Sequence, residues 1–269
     1  MKFCVTIGKT TSSTTPILLE GDFVKSVYIA KEIGYDAVEI HTPNPETLNT
    51  DELIKVCDSL GMFIATLGTG IIYSKYGLHL ADENKDNSSR LIAMVKVYID
   101  IAAKLRSKVT IGSIKGNMPK DKDRQKYLDI IGKNLKTVSD YAVEKGVFVL
   151  LEATNRYENN IINTGRDIYD MIKNYNLKNF QGLMDTFHIN IEEPNLQTCL
   201  SDVGEYLGHI HFSDNIRMYP GSGAFNFDAF CHSIKKIGYD GVLSAECYPL
   251  PDGITAARES IKFFKKYFQ

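Results

Sequence analysis

Four residues of this 269-residue chain have types and spacing that could do chemistry together: Glu152, Asp185, His211 and Glu246, separated by 33, 26 and 35 positions. Each closes a mainly apolar run, such as Val-Leu-Leu before Glu152 and Val-Leu-Ser-Ala before Glu246. Three carboxylates and one imidazole make a mixed oxygen and nitrogen donor set. That set suits Mn²⁺, Co²⁺ or Mg²⁺ with positions left for substrate oxygens, and it lacks the thiolates a soft metal prefers. Taken singly, Asp185 or His211 reads first as a satisfied polar residue at the end of an element. Glu246 does not, because a carboxylate inside an apolar strand costs several kcal/mol unless it is paired or bound to metal. Each interval is close to the length of one strand–helix unit, so the four residues come from successive strands and can converge on one point.

Secondary candidates stand near the same strand ends. Glu158 lies six residues after Glu152, His188 three after Asp185, and Arg217 six after His211. A fixed guanidinium and a neutral imidazole would hold and polarise substrate oxygens, and Glu158 would accept a hydroxyl hydrogen bond. Asn155 and Arg156 are open between orienting the ligands and, for Arg156, a structural salt bridge. His41 and His209 read as structural, His79 and His232 as exposed.

The elements that must position these groups follow a regular alternation. Strands are expected at Phe3–Gly8, Ala37–Thr42, Phe63–Gly70, Lys108–Ile114, Phe148–Ala153, Phe180–Thr186, His209–Ser213 and Val242–Cys247. The helices between them run from Asp22 to Gly34, from Asn49 or Thr50 to Gly61, and over Ser88–Ser107, Asp121–Gly146, Arg166–Asn176, Leu196–Leu207, Phe227–Gly238 and Thr255–Phe268, with a long loop at Ile71–Asn87. Eight units without a Gly-x-Gly-x-x-Gly after the first strand favour a closed (β/α)8 TIM barrel, one domain over residues 1–269, above a doubly wound open sheet. In such a barrel the strand C-terminal ends open onto the face where active sites are built.

Composition narrows the function classes. A formal net charge of -2 provides no basic field for nucleic acid. No segment reaches the roughly 18 to 20 apolar residues of a membrane span, and the strand-like start does not resemble a signal peptide, so a cytoplasmic location is expected. Cys4, Cys57, Cys199, Cys231 and Cys247 are odd in number and scattered, as expected of buried free thiols.

The motifs Glu152-x-x-Asn155-Arg156-Tyr157-Glu158, Met184-Asp185-Thr186-Phe187-His188, His209-x-His211-x-Ser-Asp-Asn-x-Arg217 with Pro220-Gly221-x-Gly223, and Gly238-Tyr-Asp-Gly followed by Glu246 resemble those of the xylose-isomerase-like barrel enzymes. Within that group they resemble the ketose 3-epimerases of the tagatose and allulose (psicose) type. The resemblance implies that Glu152, Asp185, His211 and Glu246 ligate a divalent metal, most often Mn²⁺, and that Glu158, His188 and Arg217 contact a small sugar. It implies epimerisation at C3 through a cis-enediolate, with Glu152 and Glu246 as the acid/base pair, in a homo-oligomer (dimer or tetramer). Tryptophans that line the sugar pocket of such enzymes are missing here, which makes Tyr73, Tyr76 and Tyr248 the candidates for that wall; Ala224 stands where many relatives have histidine. A sugar or keto-inositol isomerase, of the hydroxypyruvate or inosose kind, would share all four ligands. An apurinic endonuclease on the same barrel would need further histidines on the third and fourth strands, and a sugar-binding protein without catalysis would not need the full set.

Overall fold

The strands are short aliphatic and β-branched runs, nearly all of whose residues are buried, the pattern of a parallel sheet covered on both faces. The computed structural model describes residues 1–9 and 14–269. Its strands are β1 (Lys2–Gly8), β2 (Leu19–Glu20), β3 (Ala37–His41), β4 (Phe63–Gly68), β5 (Lys108–Ile111), β6 (Val149–Glu152), β7 (Phe180–Asp185), β8 (Leu207–Phe212) and β9 (Val242–Ala245). From β3 to β9 each pairs in parallel with the next, β1 pairs with β3, and β1–β9 pairing closes the ring. The two-residue β2 joins β1 at Ile7 and Gly8, beyond the stretch paired with β9. The expected eight-stranded barrel is therefore the observed one.

Outside it lie α1 (Phe23–Ile33), α2 (Thr50–Leu60), α3 (Gly70–Tyr76), α4 (Lys85–Leu105), α5 (Arg124–Lys145), α6 (Gly165–Asn174), α7 (Thr186–Glu192), α8 (Cys199–Val203), α9 (Phe227–Lys236) and α10 (Gly253–Phe268). Side-chain caps set several starts: Asp22 accepts from the Lys25 amide, Asn49 from Glu52, and Thr164 and Asp167 form a reciprocal capping box. Three expectations are corrected. The loop at Ile71–Asn87 contains α3 and the first turn of α4, which starts at Lys85 because Asn84 caps it. The helix expected over Leu196–Leu207 shrinks to α8 and a 3-10 turn, since β8 already begins at Leu207. Helix α7 follows β7 directly, with Asp185 as its cap. Among the described residues no helix is long and apolar enough to cross a membrane, and all five cysteines are free and buried.

Strand β8 shows how the barrel serves the site. Alternation turns His209 and His211 inward and Phe212 outward. Phe212 meets Phe227 and Phe230 of α9 and Phe263, Phe264 and Phe268 of α10, with ring centroids 5.2 to 6.3 Å apart. One face of the strand is thus anchored in aromatic contacts while the other presents imidazoles. Phe212→Ala is expected to lower the unfolding free energy by about 3–5 kcal/mol in urea titration, the usual cost of emptying a large aromatic site. A loss below about 1 kcal/mol would show that the aromatic cluster does not hold β8.

Candidate metal and substrate site at the barrel mouth

Strands β6, β7 and β8 end at or beside Glu152, Asp185 and His211, and Glu246 follows β9 by one residue. All four side chains are buried, and one donor atom of each lies within 4.8 Å of the others. His211 Nδ1 faces Glu246 Oε2 at 3.2 Å, Glu152 Oε1 at 3.7 Å and Asp185 Oδ2 at 3.9 Å, and this buried nitrogen makes no hydrogen bond. A nitrogen aimed at three carboxylates without a bond of its own fits a divalent cation held by all four.

The electrostatics follow from crowding charge away from water. Burial pushes Glu152 and Asp185 above the usual carboxylate range, opposed by His211 and Arg217 respectively. Burial would raise Glu246 too, but His211 and Arg217 hold it well below that range. Burial alone would lower His211; the Glu246 and Glu39 carboxylates keep it well above an ordinary imidazole.

Arg217 ties the cluster together. Its Nη1 donates to Asp185 and, at 3.2 Å, to Ser213 Oγ, and its Nη2 donates to Glu246 Oε2 at 2.5 Å. It reaches this position from a left-handed backbone (φ 61°), a conformation that non-glycine residues rarely hold without support. The support is Asp214, whose carboxylate accepts from the amides of Asn215, Gly221 and Phe225. Gly223 belongs to the same loop because a Cβ there would sit 2.3 Å from Asn215 Oδ1 and 2.5 Å from Asp214 Oδ1. Ser-Asp-Asn-x-Arg and Pro-Gly-x-Gly therefore form one device for presenting a guanidinium.

His188 occupies the first turn of α7. Its Nδ1 lies 2.8 Å from Asn155 Nδ2, which also donates to Glu158 Oε1 at 3.0 Å. An amide nitrogen only donates, so Nδ1 is the acceptor and Nε2 carries the hydrogen, facing Glu152 Oε1 at 3.8 Å. Burial and the charge of Arg217 push His188 well below its ordinary pKa and keep the ring neutral. Asn155 is thus an orienting residue, and Glu158 sits on the rim with 47% of its side chain exposed. Arg156 is structural: it pairs with Glu192 at 2.9 Å through both Nε and Nη2.

The cleft over these groups measures about 260 Å³. Its far wall is built of Thr15, Pro16, Thr69, Ile71 and Ser74, which corrects the expectation for the tyrosines. Tyr73 turns edge-on to His79, Tyr76 is 40% exposed beside Lys75 and Arg90, and neither these nor Tyr248 is among the described lining residues. A larger groove of about 690 Å³ between α4 and α5 contains lysines but no imidazole. His79 is also corrected, being half-buried against Gly116, while His232 is exposed as expected.

Sequence reasoning missed three participants. Glu39, wholly buried in β3, approaches His41, His209 and His211, so those first two histidines belong to the site's surroundings; His41 also lies 3.9 Å from Glu246 Oε1 and lines the cleft. Lys115, wholly buried, donates from Nζ to the carbonyls of Gly112 (3.1 Å) and Glu152 (2.6 Å) and to Thr154 Oγ1 (3.1 Å). Gly112 leaves room for Glu152, since a Cβ there would lie 2.1 Å from its Oε2.

Eight parallel strands with three carboxylates and an imidazole converging at their C-terminal ends define a barrel built around a metal-capable site. The description of the xylose isomerase-like TIM barrel matches residues 27–267, and the chain belongs to that family. It is 29% identical over 232 residues to a ketose 3-epimerase from Arthrobacter globiformis, covering 83% of this chain and 76% of that one. A 126-residue stretch, 47% of either chain, is 37% identical to the 3-dehydro-D-guloside 4-epimerase of Escherichia coli strain K12. The fold superposes on the D-psicose 3-epimerase from Clostridium cellulolyticum H10, a crystal structure with D-tagatose, at a TM-score of 0.86 and 21% identity over the full length of both.

Burial pushes the Lys115 amine down to about 8 from 10.5, with Glu152 and Glu158 opposing the drop. The sign follows by linkage. Between pH 8 and 10.5 the unfolded chain keeps a proton that the folded one has released, so the cost of burying the ammonium is present below pH 8 and relieved above it. Relative to Lys115→Met, the wild-type unfolding free energy should rise by on the order of 3 kcal/mol between pH 7 and 11, with EDTA present throughout. A difference that stays flat over this range would mean that burial does not lower the Lys115 amine.

Proposed function

We propose that this chain is a divalent-metal-dependent epimerase that interconverts ketoses at C3. The observation that carries the reading is the arrangement of Glu152 and Glu246. They come from the outer two of four consecutive strands, with Asp185 and His211 between them, so two carboxylates can approach one carbon from opposite sides. Inversion at a single carbon needs that pairing, whereas an aldose–ketose isomerase moves a proton between neighbouring carbons.

Glu152, Asp185, His211 and Glu246 would hold the ion, Mn²⁺ in this reading, and when bound it draws charge from the substrate carbonyl and acidifies the adjacent C–H. One of Glu152 and Glu246 removes the C3 proton, and the other returns a proton to the opposite face of the cis-enediolate. Arg217 stabilises the oxyanion as it develops, the His188 Nε2–H donates to a substrate oxygen, and Glu158 accepts from a hydroxyl at the rim. The narrow cleft supports a free monosaccharide, and among the described lining residues the one arginine, Arg217, is already paired with Asp185 and Glu246, which argues against phosphate. In this reading the barrel acts as one domain, located in the cytoplasm and assembled as the homo-oligomer that the family resemblance implies.

The 37% identical stretch shared with the Escherichia coli 4-epimerase favours a second reading, inversion at C4 of a 3-keto sugar. The same two carboxylates would serve, because C4 there is the carbon next to the ketone.

Incubation of Mn²⁺-loaded protein in D₂O with fructose, allulose, tagatose, sorbose, ribulose and a 3-keto glycoside, followed by metal removal and proton NMR, separates the readings. Deuterium at C3 of a C3 epimer is expected. Deuterium at C1 would replace the proposal with an aldose–ketose isomerase, and exchange confined to C4 of a 3-keto glycoside would establish the second reading. In the same assay Glu152→Gln and Glu246→Gln should each lower the exchange rate by roughly 10²–10⁴. An unimpaired Glu246→Gln enzyme would refute the two-glutamate scheme.

A further inference from the structure

The Glu39 side chain lies beneath the barrel mouth, wholly buried. It contributes no donor atom to the cluster of Glu152, Asp185, His211 and Glu246. Among the described residues, the polar side chains at ion-pair or hydrogen-bond distance from it are those of His41 (3.2 Å), His209 (3.4 Å), His211 (3.0 Å) and Ser244 (3.3 Å). His41 and His209 approach through Nε2 without hydrogen-bond alignment. The Nε2 of His211 is aligned, and it meets Glu39 Oε2.

Imidazole has two nitrogens, and here they face opposite ways. Nε2 meets a carboxylate in the barrel interior, and Nδ1 meets the three carboxylates at the mouth. An ionised carboxylate only accepts, so the hydrogen on Nε2 is held there by Glu39. Nδ1 is then the ring nitrogen whose lone pair faces the carboxylates at the mouth. We infer that Glu39 is a positioning residue, which fixes the His211 ring and its Nε2–H tautomer so that the Nδ1 lone pair is offered to the ion. The inference rests on the reading of His211 as a metal ligand.

The surroundings fix Glu39 in turn. The register between β3 and β4 breaks between Val38 and Glu39, an irregularity of the kind that re-aims a side chain. Ser244 Oγ donates to the same Oε2 that accepts from His211. The donor atoms of Glu39, His209 and His211 also lie within 4.8 Å of one another, close enough to hold a second ion. That arrangement would take the Nε2 of His211 away from hydrogen bonding and make one imidazole bridge two cations, so the hydrogen-bonded arrangement is the one inferred.

The test is calorimetric titration of full-length, metal-free wild-type and Glu39→Gln proteins with Mn²⁺. One ion per wild-type chain is expected, with affinity reduced roughly 10- to 100-fold by Glu39→Gln and partly restored in Glu39→Asp. Unchanged affinity in Glu39→Gln would overturn the inference while leaving the metal site intact. Two ions per wild-type chain, one of them lost in Glu39→Gln, would overturn it by making Glu39 a ligand. A wild-type protein that binds no Mn²⁺ would overturn the underlying metal reading and the inference with it. If Glu39→Gln does not fold, ¹⁵N NMR of the imidazoles in Mg²⁺-loaded wild type still decides. A proton on His211 Nε2 and none on Nδ1 is expected, and the reverse tautomer would overturn the inference.

Discussion

Four buried carboxylates, Glu39, Glu152, Asp185 and Glu246, lie within 3.9 Å of the ring nitrogens of His211, and the rest of the site answers to that crowding of negative charge. In a low-dielectric interior each would cost several kcal/mol if left alone. Here each has a cationic or hydrogen-bonding neighbour drawn from a different strand end. His211 stands between the two halves of the cluster, and Arg217 spans Asp185 and Glu246. The barrel makes this balance achievable because its closed ring brings groups distant in sequence, such as Glu39 and His211, within 3.0 Å.

The same balance explains the loops. Arg217 is worth holding in a left-handed conformation only because the loop around Asp214 supports it on both sides. Lys115 carries its ammonium into the wall beside Glu152 and fastens the end of β6 to the turn after β5. Gly112 and Gly223 are required by close approach, one to the Glu152 carboxylate and the other to Asp214 and Asn215. Backbone geometry and charge placement are in this sense one constraint.

Much of this was legible in the sequence, for identifiable reasons. The eight barrel strands stood out through their aliphatic runs, and Glu152, Asp185, His211 and Glu246 stood out because each interrupts or closes such a run at a regular interval. Glu39 interrupts Ala-Val-Glu-Ile in the same way as Glu246 interrupts its strand, so the argument applied to Glu246 would have found it. Lys115 had no such signal, since a lysine after a strand ordinarily points to solvent. The short helices α3 and α7 were hidden because seven residues offer too few turns for a periodic stripe. Tyr73 and Tyr76 were misassigned to the cleft because a side chain's direction on α3 depends on a helix that the sequence did not reveal.

The barrel also divides its labour along the chain. Every member of the candidate ligand set comes from the half that begins at β6, and the far wall of the cleft comes from Thr15, Pro16, Thr69, Ile71 and Ser74 in the other half. Apart from Glu39, His41, Gly112 and Lys115, which touch or support the charged cluster, the first half can therefore accumulate substitutions that reshape what enters without disturbing what happens to it. Such a chain is free to vary in one respect and constrained in another: the shape of the entrance can change residue by residue while the charge balance beneath it cannot.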